Sequence, residues 1–282
     1  MTHIRNFTKN DISFAVSLAH TEGWYSETED EFNGFLTYHP EGCFIIEVNG
    51  NRAGMCVTVP YEQDGYFSEF IIAKNYRGKN IGSKLLNHAV HHLTNIGINN
   101  IYLDGMPKAT ALYEKAGFRK IGLSTRWKGT IHYNPSSEVH PISESDLKRI
   151  IETDKKIFKC DRSFFLKYLW QKNQATSKIL KRNNRIIGYI FGKIRDPEFS
   201  IGPWVCLGNE TDALLLLQGI SKKLSEYYVR IGVYDTNHKS ITLLKETGLM
   251  RQPDCPWHMV RGKDTKLGDS KNIYGIGSAA KG

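Results

Sequence analysis

Apolar residues in the first half of the chain fall into two kinds of pattern. Short alternating or continuous runs bounded by turn residues predict strands at 3–7, 43–48, 53–60, 66–72, 98–103 and 119–127. Apolar positions at helical spacing predict helices within 11–38, over 80–94 and over 108–116. The clearest is 80–94, where Ile81, Leu85, Leu86, Ala89, Val90 and Leu93 form one stripe that must lie on a sheet. These six residues are core, and no chemistry is assigned to them.

The second half repeats the order of the first at an offset of about 131–135 residues. Ile4 with Asp11 echoes Val139 with Asp146, a strand leading to a helix start. Asn49-Gly50-Asn51-Arg52 echoes Asn183-Asn184-Arg185, a turn feeding a strand. Ala109-x-x-Leu112-Tyr113-x-x-x-Gly117 echoes Ser240-x-x-Leu243-Leu244-x-x-x-Gly248, a short helix closed by glycine. Asn134-Pro135-Ser136-Ser137 reads as the linker, giving domains at 1–134 and 135–282.

Charge separates the two halves. Of 38 Lys+Arg and 29 Asp+Glu, residues 1–134 hold 13 of each, so the whole net charge of +9 belongs to 135–282. Those basic residues are scattered among acidic ones without an aromatic-lined stripe, which argues against nucleic acid as a partner. Between Lys9 and Arg52 there is no Lys or Arg, and the stretch holds carboxylates with aromatics among them, including Glu22, Trp24, Tyr25 and Glu27. No apolar run is long enough for a membrane span, and the N-terminal residues carry no apolar signal core. The five cysteines show no C-x-x-C pair, so neither a disulfide framework nor a metal site is expected, and a cytoplasmic location fits.

The most informative stretch follows strand 66–72. Arg77, Gly78, Lys79, Asn80, Ile81, Gly82 and Ser83 form a turn with two glycines running into helix 80–94. Such a turn points several unpaired N–H groups at one place beside the positive end of the helix dipole, which makes a pyrophosphate site. Gly78 and Gly82 let backbone approach phosphate, and Asn80 tolerates a left-handed conformation. It is not a Walker A loop, because the glycines are three residues apart and Lys84 follows Ser83.

Arg77-x-x-Asn80-x-Gly82 resembles motif A of the GNAT acetyltransferases, with Asn80 where the middle glycine usually stands. Ala109-x-x-Leu112-Tyr113-Glu114-Lys115-x-Gly117-Phe118 is similar to their motif B. The resemblance implies an α+β fold, two tandem GNAT domains, each a mixed and mostly antiparallel sheet flanked by helices. It implies acetyl-CoA as cofactor, held by Phe70, Ile71, Ile72, the turn 77–83 and Tyr113. It also implies Tyr113 as the acid that protonates the departing thiolate, and an oxyanion-binding N–H at a strand bulge near 70–72. Glu69 stands where several GNAT enzymes keep a catalytic base; the alternative is an outward-facing strand residue.

The second copy has Leu244 in place of Tyr113 and no glycine-rich turn after its central strand, so it is read as degenerate. Gly23-Trp24, Asp161-Arg162, Gly202-Pro203 and Ile273-Tyr274-Gly275-Ile276 extend the resemblance to tandem bacterial GNAT proteins. The acceptor is expected to be the primary amine of a small cationic molecule, drawn to Glu22, Trp24, Tyr25 and Glu27, although the same segment also reads as an ordinary solvated acidic helix. Two other functions stay open: acetylation of a protein N-terminus or lysine, and acyl-CoA sensing without turnover.

Overall fold

The computed structural model describes residues 1–195, 198–263, 267 and 271–282, and the chain divides into two compact units. In chain order the first 120 residues give β1 (Thr2–Asn6), α1 (Ile12–His20), α2 (Glu29–Tyr38), β2 (Cys43–Val48), β3 (Asn51–Tyr61), β4 (Asp64–Ile72), α3 (Ile81–Asn95), β5 (Asn100–Gly105) and α4 (Thr110–Lys115). Strands β1 to β4 are antiparallel neighbours, and β5 runs parallel to β4. The β2–β3 hairpin turns on Asn49 and Gly50 alone, both with positive φ, the two-residue turn whose twist matches that of its strands. The six apolar residues of α3 are all buried, with the helix lying on β2, β3 and β4.

The remaining elements are β6 (Arg119–Gly129), β7 (Val139–Pro141), α5 (Glu144–Phe158), α6 (Ser163–Lys172), β8 (Ser177–Arg182), β9 (Arg185–Arg195), β10 (Glu198–Cys206), α7 (Glu210–Gly219), β11 (Tyr228–Tyr234), α8 (His238–Glu246), β12 (Met250–Arg251), β13 (Trp257–Arg261) and β14 (Ile273–Gly275). The β8–β9 turn again uses two positive-φ residues, Asn183 and Asn184, as the internal repeat anticipates. Both units are α+β, with mixed and mostly antiparallel sheets flanked by helices.

The two units interleave along the chain. The first contains Met1–Lys120, the described part of Met259–Thr265, and Lys281. The second contains Ile121–His258, the described part of Lys266–Ala280, and Gly282. The strand expected at 119–127 to close the first copy is β6, and from Ile121 onward it belongs to the second. There residues 124–129 pair antiparallel with β11, and Trp127 is buried with Leu243, Leu249 and Val233. In exchange, the Met259–Arg261 part of β13 follows β5 in the first unit. A local apolar pattern shows that a strand exists but not which sheet takes it.

One histidine cluster lies between α2 and α3. His39, which follows α2, has Nε2 2.9 Å from Nε2 of His92, and Phe44 of β2 stands edge-on to His88 and His92. One ring nitrogen must donate and the other accept, so the pair is satisfied only while at least one ring is neutral. Burial holds the pKa of His39 and of His92 below the ordinary value, against a weaker opposing pull from Glu41. A lowered histidine pKa means the unfolded chain takes up protons before the folded one. Stability from these rings is therefore complete above the ordinary value of 6.5 and is lost as pH falls from there toward the folded values. Thermal melts between pH 7 and pH 5 should show a falling midpoint, and His39→Gln/His92→Gln should remove at least about half of that fall; an unchanged slope would mean that these rings are not its source.

Candidate active site

The site starts from a ladder that stops early. Strands β4 and β5 pair only at Asp64↔Asn100, Gly65↔Ile101 and Tyr66↔Tyr102, although β4 continues to Ile72 and β5 to Gly105. Beyond Tyr66 and Tyr102 the two strands part. At the parting, β4 carries a bulge in which Glu69 and Phe70 together oppose Cys56, with Glu69 at φ +49°. The bulge thus lies one residue earlier than expected, at 69–70. A left-handed glutamate inside a strand costs about 1–3 kcal/mol and persists only where its surroundings enforce it. Glu69 is buried, so it is not an outward-facing strand residue.

Tyr113 of α4 packs against both parted strands. Its ring meets Phe67 and Phe70 of β4 edge-on, at centroid distances of 6.4 and 6.2 Å. On the β5 side it fits against Gly105, where a Cβ would stand 2.7 Å from its Cε2. Burial raises the Tyr113 pKa above the ordinary tyrosine range, so the hydroxyl stays protonated at neutral pH. That hydroxyl makes no hydrogen bond among the described residues. One turn earlier on α4, the buried Thr110 Oγ1 also lacks a partner.

Past the end of β4 the chain makes the anticipated turn. Gly78 and Asn80 both take left-handed φ, +75° and +58°, and Asn80 is the residue before α3, without using its side chain as a cap. The first α3-region donor with a backbone acceptor is the Lys84 N–H, bonded to Asn80 O at 3.2 Å. The N–H groups of Ile81, Gly82 and Ser83 precede it and have no acceptor within the helix. Gly82 has a packing role in addition: a Cβ there would be 3.3 Å from the Phe70 ring and 3.7 Å from Leu112, tying the turn to β4 and α4. Ile71, Ile72 and Ile81 are buried, Phe70 and Ser83 half-buried, and Gly78, Lys79 and Asn80 exposed.

The charges are arranged differently from the sequence expectation. Arg77 donates through Nε to Ile72 O at 2.7 Å and through Nη2 to Glu22 Oε1 at 2.5 Å, while Lys108 Nζ reaches Glu22 Oε2 at 2.9 Å. Burial alone would raise the Glu22 pKa, but the hydrogen bonds from Arg77 and Lys108 outweigh it and hold the carboxylate below its usual range. Glu22 therefore serves as a clamp between the end of α1 and the turn. Lys79 Nζ is held by Asn75 O at 3.2 Å. Glu27 accepts from Ser26 Oγ, Trp24 is half-buried, and Tyr25 is 65% exposed with its ring beside His20. Among the described residues, no hydrogen bond or ring contact shown joins these four to Tyr113. Thr110, Gly105 and Lys108 carried no sequence signal that marked them, because their roles come from tertiary neighbours.

The features suit an acyl-CoA. Unpaired N–H groups at the turn match a pyrophosphate, and the parted strands with the unpartnered Thr110 hydroxyl match an arm bearing amides. Among the described residues no group of three or more His, Cys, Asp or Glu is arranged to hold a metal, and no helix is long and apolar enough to cross a membrane.

In the second unit the equivalent gap is filled from within. Strands β10 and β11 run parallel at four positions, ending at Ile201↔Ile231, and Gly202-Pro203 makes the bulge against β9. Past that point β14 enters, pairing with β10 at Trp204↔Gly275 and Val205↔Ile273 and bonding Gly232 O through the Ile276 N–H at 2.9 Å. Helix α8 fastens it: Asn237 Nδ2 donates to Ile273 O at 2.9 Å and Ser240 Oγ to Tyr274 O at 2.6 Å. At the start of α7 Asn209 caps the Asp212 N–H, and Glu210 and Asp212 make the first turn acidic.

Comparison with known proteins agrees with this architecture. A model described as the Acetyltransferase (GNAT) family matches residues 10–118, and one described as an Acetyltransferase (GNAT) domain matches 150–275. The chain belongs to the GNAT acetyltransferases. It carries two domains of that family in tandem. Among solved structures, a Pyrococcus horikoshii protein assigned to the acetyltransferases is similar at 20% identity and TM-score 0.84, over 100% of this chain and 96% of that one. A GCN5-related N-acetyltransferase from Sphaerobacter thermophilus is similar at 14% identity and TM-score 0.66, over 94% and 98%. A tandem GNAT protein from the clavulanic acid biosynthesis pathway is similar at 12% identity and TM-score 0.64, over 94% and 100%. At these identities the likeness shows the fold. No curated protein matches the chain in sequence.

Two substitutions test the packing. Gly105→Ala drives a methyl into the Tyr113 ring and should destabilise the protein by about 1–3 kcal/mol in urea unfolding; no loss would mean that the ring has room to move. Asn237→Ala leaves Ile273 O without its donor and should cost about 1–2 kcal/mol while leaving acetyl-CoA affinity of the first unit unchanged, read by the same unfolding experiment and by calorimetry.

Proposed function

We propose that the first unit transfers the acetyl group of acetyl-CoA to the primary amine of a small cationic molecule, by direct transfer while both are bound, in the cytoplasm. The observation that carries this reading is the position of Tyr113, a buried and protonated tyrosine across the parted strands β4 and β5, next to the donor-rich turn. Bound acetyl-CoA supplies an activated thioester. The N–H groups at 78–83 hold its phosphates, and Phe70, Ile71 and Ile72 line its arm. Tyr113 Oη, kept protonated by burial, delivers a proton at the leaving sulfur. Glu69, set by the bulge, removes the proton of the attacking amine directly or through a water. The second unit takes no acyl-CoA, because β14 fills its gap and the start of α7 is acidic.

Tyr113→Phe should keep acetyl-CoA binding in calorimetry and lower turnover by roughly tenfold to a thousandfold. Acetyl-CoA should titrate to one site per chain. Full turnover by Tyr113→Phe across pH would remove the acid, and two sites per chain would contradict the closed second unit.

A further inference from the structure

Two carboxylates of the acidic segment near the N-terminus are each met by two basic side chains: Asp11 by Arg5 and Arg52, Glu22 by Arg77 and Lys108. Glu31, on α2, is met differently. Its buried carboxylate receives the ammonium of Lys281, which clusters with the first unit although 250 positions separate the two residues. The same ammonium stands 4.8 Å from the Phe35 ring centroid, one helical turn from Glu31, and Tyr61 Oη donates to Lys281 O at 3.1 Å. A primary ammonium on an alkyl chain is thus held by an anion and an aromatic face, the chemistry by which alkylammonium ions are recognised.

The position of this pocket matters as much as its chemistry. Tyr61 contacts Tyr66 at a centroid distance of 6.2 Å, and Tyr66 contacts Tyr102 at 5.7 Å. Tyr66 and Tyr102 are the last paired residues before β4 and β5 part. A row of three tyrosines therefore leads from the backbone carbonyl of Lys281, whose ammonium Glu31 holds, to the last paired residues before the gap.

We propose that Glu31 and Phe35 form the cation subsite for an acceptor of alkyl-diamine or polyamine class, and that Lys281 is its internal occupant, displaced when acceptor binds. The ammonium held at Glu31 would be the one not acetylated, and the second amine of the acceptor would lie along the tyrosine row toward the gap. Calling this ligand an acceptor rests on the acetyl-transfer reading above; the ammonium site itself does not. An internal competitor at high effective concentration weakens every external ligand of the same kind. Removing it should strengthen them.

The test uses butylammonium and 1,4-diaminobutane as probes on the full chain. Lys281→Met leaves Glu31 buried without that ammonium and should lower the melting midpoint. Butylammonium should then restore it, and should bind Lys281→Met at least roughly tenfold more tightly than the unsubstituted protein. Glu31→Gln/Lys281→Met should lose this binding. If Lys281→Met does not fold, Lys281→Gln, which keeps a donor for Glu31, enters the same titration. With acetyl-CoA present, KM for 1,4-diaminobutane should fall by a similar factor in the Lys281 variant. Equal butylammonium affinity with and without Lys281, or binding that survives Glu31→Gln, overturns the site. An ammonium site that binds as expected but leaves KM unchanged overturns its role as acceptor subsite. Failure of the unsubstituted protein to bind acetyl-CoA would instead strike the acetyl-transfer reading and leave the ammonium site standing.

Discussion

Two parallel strands that part inside a sheet leave a row of N–H and C=O groups facing a gap, and buried backbone groups do not stay unpaired. That demand organises both units. In the first, β4 and β5 pair over three positions and then diverge beside Tyr113, Thr110 and the turn before α3. In the second, β10 and β11 diverge after four positions and the chain answers with its own strand, β14. The same geometry thus yields a slot in one case and a closed sheet in the other. What separates them is one short peptide and two side chains, Asn237 and Ser240, that hold it.

Electrostatics is shaped by the same economy of partners. Within a segment that looks uniformly acidic along the sequence, Asp11, Glu22 and Glu31 each have their own basic partners in three dimensions. Arg77, at the start of the turn before α3, gives its guanidinium to Ile72 O and Glu22, so it braces the turn. The turn keeps its shape through Gly78 and Asn80, whose left-handed conformations present successive N–H groups in one direction. Asn80, where the resembled motif usually has glycine, takes a left-handed φ of 58°.

Features set by near neighbours were legible in the sequence. The α3 stripe, the Asn49-Gly50 and Asn183-Asn184 hairpins, the left-handed Asn80 and the helix bearing Tyr113 all depend on residues within a few positions of each other. Long-range consequences were not. Nothing near residue 119 tells β6 that Trp127 will be buried beside Leu243 and Leu249, and nothing in Ile273-Tyr274-Gly275 marks it as the filler of a gap between β10 and β11. The pairing of Glu22 with Arg77 and Lys108 hides in the same way, because 55 and 86 positions separate the partners. Glu69 lies between the two cases: its place in a strand was readable, its left-handed bulge was not.

The exchange of strands between the two halves has a consequence for how the protein comes into being. Strand β5 of the first unit is flanked by Met259–Arg261, and Arg261 bonds Ala116 O at 3.1 Å while Gly262 packs against Asn100. During synthesis the first unit must therefore wait, its β5 edge bare, until residues 259–261 have left the ribosome. An uncovered edge over that interval invites pairing with other chains, and closing so long a loop is slow. Each half completes its sheet with late or borrowed residues, so the two are expected to mature together instead of one after the other.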